Sequence, residues 1–350
     1  MEEKDKSAHK LPAKLRYIPD TNEGYTRLAK GKGFAYYLNG ELIKDDDLLK
    51  RFRSLVIPPA WQKVWICPNE HGHLQVTGID VKGRKQYIYH PEWRKMQHEN
   101  KFARILEFGK ALPCIRKNIR KDIRKKKYTK DKVIAIALEL MEETLIRAGN
   151  NYYRDQNNSY GLTTLTNKHV NINGSEIFFK FRGKKGVLHK IKISDHSLAK
   201  QLKNVKEIRG QSLFQYLDEE GNTHILDSGD LNEYIQRCTK QDFTSKDFRT
   251  WSGTVWAFRK LCELEPFKNQ SQFKKNIIEV YDFVASKLGN TRSVCKKYYV
   301  SDTLIKAYEN HYTVPYFKKA LRKGGKLSDT EKAEKQLLLL LQDTTINNTK

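Results

Sequence analysis

The chain has 350 residues, enough for two domains, since a single core seldom keeps growing past roughly 250–300 residues. Lys and Arg outnumber Asp and Glu by 66 to 41, a formal charge of +25, which points to a polyanionic partner, while 38% hydrophobic residues exclude a disordered polycation. Five scattered cysteines without a C-x-x-C pair exclude a disulfide framework and a zinc site. The charged start and a longest aliphatic run of only Leu337 to Leu341 argue for a soluble, cytoplasmic protein with no membrane partner.

In chain order, Phe34 to Leu38 and Glu41 to Ile43 flank Asn39-Gly40 and predict a hairpin. Val64 to Cys67, Leu74 to Ile79 and Gln86 to Tyr89 are β-branched and aromatic runs between turn-formers, so a small antiparallel sheet is expected, with Tyr87 and Tyr89 on one face. From about Met96 to Lys101 the period shifts toward 3.6, predicting a linker or helix entry. Ile115, Ile119 and Ile123 then recur among residues, from Arg116 to Lys127, that are mostly Lys or Arg, predicting a basic amphipathic helix suited to nucleic acid. Ile134, Leu138, Met141 and Leu145 form a helical stripe, and Gly149 is expected as its left-handed cap. Strand-like alternation returns from about 169 to 193 (Ile177, Phe179, Phe181, Val187, Ile191, Ile193), with Lys184 on a hairpin tip between Gly183 and Gly186. Helices follow at about 230–239, 246–263 and 272–288, the last stopped by Gly289, and Ser328 with Glu331 makes a capping box before a leucine-rich tail helix. The expected fold class is α+β. A β-rich domain, 1–97, precedes a larger, mainly helical domain, 98–350, containing a short hairpin or sheet.

No phosphate loop and no G-x-G-x-x-G is present, so nothing supports ATP or dinucleotide use. His71 and His73 are expected in a surface turn. The acidic clusters Asp45 to Asp47 and Glu142-Glu143 do not resemble a two-metal site. A basic protein that acts on phosphodiesters without metal needs Arg and Lys to stabilise phosphate charge and a side-chain nucleophile, for which tyrosine is one candidate. With 18 tyrosines, spacing alone does not select it.

Four stretches read together do: Leu145-Ile-Arg147-Ala-Gly-Asn, Tyr160-Gly-Leu-Thr-Thr-Leu-Thr-Asn-Lys-His169, Lys246-Asp-Phe-Arg249-Thr-Trp, and Gly289-Asn-Thr-Arg-Ser-Val-Cys-Lys-Lys-Tyr-Tyr299. In this order they resemble type IB DNA topoisomerases of the small poxvirus and bacterial branch, and Lys85-Gln86-Tyr87-Ile-Tyr89 is similar to that family's DNA-contacting strand. The resemblance covers nearly the whole chain. It implies relaxation of supercoiled duplex DNA by a monomeric clamp through a 3′-phosphotyrosyl intermediate, strand swivelling and religation, without ATP, metal or any other cofactor. It further implies Tyr299 as nucleophile, Arg147 and Arg249 as bidentate holders of nonbridging oxygens, and Lys184 as general acid, with Lys185 in reserve. Gln86, Tyr87, Tyr89, Gly149, Tyr153, Thr164, Lys168 and Lys246 are the implied DNA contacts.

Two departures stand out. Poxvirus members carry a histidine nine residues before the tyrosine, where this chain has Asn290, as members of the bacterial branch resemble in having; an amide there supplies a neutral donor. Where the poxvirus pattern continues R-T-Y-G-x-N, this chain reads Arg249-Thr-Trp-Ser-Gly-Thr254, which leaves the role of Thr254 open. The alternatives are a tyrosine recombinase, whose H-x-x-R is here Lys246-x-x-Arg249, and a non-catalytic basic DNA-binding protein, which explains the charge but not the ordered motifs.

Overall fold

The computed structural model describes residues 15–31, 33–81, 83, 85–264, 266–321 and 328–347. The chain divides into two compact units, 1–101 and 102–350. In the first, β1 (Tyr25–Lys30), β2 (Gly33–Leu38), β3 (Glu41–Leu42), β4 (Gln62–Ile66), β5 (Leu74–Ile79) and β6 (Lys85–Tyr89) form one antiparallel sheet in the order β3-β2-β1-β4-β5-β6. Asn39 and Gly40 both take positive φ, 51° and 86°, as the two-residue turn joining β2 to β3 requires. Helix α1 (Asp46–Ser54) was not foreseen. Asp45 caps it by accepting from the Leu48 amide at 2.9 Å, and Asp46 and Asp47 lie in its first turn, so this acidic run serves the positive end of a helix. Phe52 of α1 packs its ring 4.9 Å from those of Tyr25 and Tyr36 in a core completed by Val64, Ile66 and Val76.

Strand β1 hides its periodicity because Arg27 points inward while Leu28 points out. The Arg27 guanidinium donates to the carbonyls of Ile57, Pro58 and Trp61 at 2.9–3.0 Å and lies over the Phe34 ring, which ties the segment after α1 to the sheet. The expectation for His73 is corrected: it is only 5% exposed, stacked on Tyr17 at 4.2 Å, edge-on to Trp93, and accepts from the Ile18 amide. Local sequence hid this because its partners lie about 20 and 55 residues away.

No linker interrupts the chain at 96–101; helix α2 (Pro91–Ile123) spans the division in sequence. The second unit continues with α3 (Lys130–Thr144), α4 (Asn151–Asn157), a three-stranded antiparallel sheet of β7 (Val170–Asn173), β8 (Glu176–Arg182) and β9 (Leu188–Ser194), and α5 (His196–Glu207). A small hairpin of β10 (Gln215–Leu217) and β11 (Thr223–Ile225) precedes α6 (Ser228–Thr239), α7 (Ser245–Glu263), α8 (Gln270–Leu288), α9 (Arg292–Tyr298), α10 (Asp302–Glu309), α11 (Val314–Ala320) and α12 (Asp329–Asn347). The α+β class is as expected. Helix α3 is buried from Val133 to Ala137 on every side, which makes it the centre of this unit's core. Arg116 of α2 donates to Glu142 of α3 at 2.6 Å and bidentately to Glu334 of α12 at 2.7 and 2.9 Å, and Trp251 of α7 donates to the same Glu334, so one half-buried node joins four helices. Ser328 and Glu331 cap α12 reciprocally as expected. Among the described residues no helix is long and apolar enough to cross a membrane.

Because the Phe52 ring fills the first unit's core, Phe52→Ala should cost about 3–5 kcal/mol of that unit's stability, read as a lowered denaturant midpoint in its unfolding transition.

Candidate active site

Three helix ends in the second unit converge. Helix α3 ends at Leu145, which takes a left-handed φ of 52°, and Arg147 follows two residues later. Gly149 is therefore not the cap expected of it. Its φ of +102° and its missing Cβ instead let the chain cross Gly161, where a Cβ would stand 3.1 Å from the Gly161 carbonyl carbon and from the Thr164 Oγ1. Helix α8 ends as expected at Gly289, φ 58°, and Asn290 follows. Short α9 ends at Tyr299, whose amide donates to the Cys295 carbonyl at 3.0 Å.

Arg249, in the second turn of α7, joins the first two ends. Its side chain is only 5% exposed, and its guanidinium donates to the carbonyl of Leu145 and, at 2.8 Å, to that of Leu288. Both are carbonyls at the negative ends of helices, so the cation sits where helix dipoles favour it. Arg147 in turn donates to the Asn290 Oδ1 at 2.6 Å. The Arg249 guanidinium carbon lies 5.5 Å from the centre of the Tyr299 ring. Two donors, Arg249 Nε and Asn290 Nδ2, are buried without a hydrogen-bond partner among the described residues. Paired cations with spare buried donors suit an anion with several oxygens.

The electrostatics follow from this crowding. Burial first, then the charge of Arg147, pulls the Arg249 guanidinium below its usual range. Burial alone would raise the Tyr299 phenol, but the adjacent Arg249 outweighs it, with Arg147 and Lys246 adding to the effect, and the phenol is held below the ordinary value of 10.0. A phenol that ionises more readily is a better nucleophile at neutral pH. Tyr298 differs: it is exposed at the end of α9, with the Lys297 ammonium over its ring at 5.1 Å.

Four of the five expected catalytic residues, Arg147, Arg249, Asn290 and Tyr299, are thus brought together. Lys184 is not joined to them by a contact. It stands exposed on the tip between β8 and β9, where the Gly183 amide donates to Val187 and Lys185 takes the left-handed φ of 64°. Lys246 is exposed in the first turn of α7 and adds charge near Tyr299. Tyr153 is 54% exposed on α4, edge-on to Tyr152, and Lys168 is exposed. Thr164 is placed differently from the others: it is 3% exposed and its hydroxyl is taken up by the amide and carbonyl of Gly161, so it braces the loop after Arg147. In the first unit, Tyr87 (46% exposed) and Tyr89 stack at 5.9 Å on one face of β6, and Gln86 donates to Asp80 at 2.9 Å.

Sequence reading missed Gly253 and left Thr254 open. A Cβ at Gly253 would lie 2.8 Å from the Tyr299 carbonyl oxygen, and the fully buried Thr254 hydroxyl lies 3.1 Å from that same oxygen as a donor. Together they press α7 against the backbone of Tyr299. A lone glycine inside a helical pattern signals nothing of this locally.

Comparison with known proteins bears on what such a site does. The model of the eukaryotic DNA topoisomerase I catalytic core matches residues 90–324, and that of the bacterial DNA topoisomerase IB N-terminal domain matches residues 33–80. DNA topoisomerase 1B of Acanthamoeba polyphaga mimivirus is 34% identical over 298 residues, covering 83% of this chain and 88% of that protein. DNA topoisomerase 1B of Vaccinia virus (strain Copenhagen) is 28% identical over 240 residues, covering 66% and 71%. DNA topoisomerase 1 of Rabbit fibroma virus (strain Kasza) is 23% identical over 238 residues, with the same coverage.

Because the Tyr299 backbone is seated on Gly253, Gly253→Ala should slow any reaction of the Tyr299 hydroxyl by about 100-fold, the effect of a misplacement of about 1 Å, while ligand binding stays near wild type. Single-turnover kinetics beside a binding titration would read the split.

Proposed function

The chain belongs to the type IB DNA topoisomerase family, and from that premise we propose that it relaxes supercoiled duplex DNA by transient cleavage of one strand at Tyr299. The observation that carries the reading is one linked cluster: Asn290 is bonded to Arg147, the Arg249 guanidinium stands beside the Tyr299 ring, and two buried donors are left over among the described residues. The Tyr299 hydroxyl gives its proton to solvent and attacks the scissile phosphorus. A 3′-phosphotyrosyl bond forms as the bond to the 5′-oxygen breaks, and Lys184 gives that oxygen a proton. Arg147 and Arg249 hold nonbridging oxygens, while the Asn290 Nδ2 donates a neutral hydrogen bond to one of them. The freed 5′-hydroxyl end swivels, then attacks the phosphotyrosine and reseals the strand. The chemistry runs in both directions without net change in bonds, so it needs neither ATP nor another cofactor.

Duplex DNA as partner accords with the +25 charge. Residues 1–97 would act as a DNA-binding domain through Gln86, Tyr87 and Tyr89, and residues 98–350 as the catalytic domain, with Tyr153, Lys168, Lys246 and the Gly149 backbone near the phosphates and Thr164 bracing them. A monomer that clamps the duplex suffices, at work in the cytoplasm or on the nucleoid.

Plasmid relaxation should proceed in EDTA without ATP. Tyr299→Phe should abolish relaxation and covalent adduct while keeping duplex affinity, and Tyr298→Phe should stay active. A strict need for Mg²⁺ in cleavage, or an active Tyr299→Phe, contradicts the reading; a tyrosine recombinase would not relax a lone plasmid, and a passive binder would form no adduct. Removing one preorganised donor costs about 10²–10³-fold, so Asn290→Ala should slow cleavage by about that factor, and Asn290→His should be tolerated because an imidazole also donates.

A further inference from the structure

His189, the second residue of β9, takes no part in the reading above, yet it stands where two catalytic turns meet. A Cβ on Gly183, the residue before Lys184, would lie 2.6 Å from its Cδ2 and Nε2 atoms, and a Cβ on Gly289, the residue before Asn290, would lie 3.1 Å from its Cε1. Both glycines therefore pack their bare Cα against the same imidazole. One face of the ring is stacked on Phe181 at 5.0 Å and 13°, and Phe181 is itself in the core. Phe181 and His189 are register partners across β8 and β9, so the base of the hairpin is held by this pair.

We propose that His189 is a positioning residue for strand cleavage: its ring, wedged between Gly183 and Gly289, fixes the Lys184 hairpin against the turn that carries Asn290. No hydrogen bond holds Lys184 in place among the described residues, so its reach toward the leaving oxygen depends on how its hairpin is seated. The ring suits the place because it is flat and uncharged. Burial, and then the charges of Arg147 and Arg249, hold its pKa below the ordinary histidine value, so it adds no third cation to the pair.

The inference rests on the proposed role of Lys184, and the test separates the two. Single-turnover cleavage is measured on a duplex with an ordinary scissile phosphodiester and on one with a 5′-bridging phosphorothiolate, whose sulfur leaves as a thiolate and needs no proton. The variants are Lys184→Ala, His189→Ala and His189→Phe. If His189 acts through Lys184, His189→Ala should be slower by about 10–100-fold on the ordinary substrate, the range expected for a displaced catalytic group, and close to wild type on the phosphorothiolate, as Lys184→Ala should be. His189→Phe keeps a flat ring between the glycines and should recover most of that loss. Rescue of Lys184→Ala but not of His189→Ala, or a wild-type rate for His189→Ala on the ordinary substrate, overturns the positioning role. Failure to rescue Lys184→Ala overturns the general-acid reading and this inference with it. If His189→Ala does not fold, a folded His189→Phe that is as slow as Lys184→Ala on the ordinary substrate overturns the wedge.

Discussion

A single buried guanidinium closes two helices at once. Arg249 donates to Leu145 at the end of α3 and to Leu288 at the end of α8, carbonyls that have no partner within their own helices. Both helices stop in left-handed backbone, at Leu145 and at Gly289, with Arg147 two residues past the first turn and Asn290 one residue past the second. Fixing the two ends therefore fixes Arg147 and Asn290 relative to each other, and their own 2.6 Å hydrogen bond follows from that placement. Hydrogen bonds to a charged group are worth about 1.5–3 kcal/mol each, enough to hold both turns against fraying.

The arrangement also carries a cost. The Arg249 cation is taken out of water beside a second arginine, and burial first, then the charge of Arg147, lowers its proton affinity. An anion at the same place offsets this repulsion, so binding and charge stabilisation draw on one source. The same field acts on the phenol that α9 presents: a tyrosine raised by burial is brought below its ordinary pKa by the cations beside it. Nucleophile activation and phosphate binding are thus two effects of one cluster. Gly253 and Thr254 set how near α7 brings that field to Tyr299.

Much of the fold was legible where local chemistry and tertiary packing agree. Asn39-Gly40 encodes its own turn, the stripe of α8 ends in a glycine that the left-handed cap demands, and the Ser328 box caps α12. Legibility failed where a distant partner decides. Arg27 faces inward because three carbonyls from 57 to 61 await it, so β1 lacks alternation; the Asp45 to Asp47 run, set aside only as unlike a two-metal site, caps a helix; His73 is enclosed by residues far away in the chain. Gly149 was read as a cap, while its positive φ serves the crossing with Gly161. As for the site, spacing alone does not bring residues 147, 249, 290 and 299 together, because their meeting depends on where helices end in space. Ordered motifs similar to a known family supplied that grouping. His189 and Gly253 had no such signal, since Gly253 matters through Tyr299, far along the chain, and His189 joins the nearby Gly183 to the distant Gly289.

The central claim is that the cluster built on Arg249 activates Tyr299 and no other tyrosine. The direct measurement is to trap the covalent complex on a suicide duplex, digest it with trypsin, and sequence the nucleotide-bearing peptide by mass spectrometry. Cleavage after Lys297 and Lys306 yields a peptide with both adjacent tyrosines, and fragment ions assign the added mass. The account predicts the nucleotide on Tyr299. A nucleotide on Tyr298, or on any peptide outside residues 298–306, contradicts it.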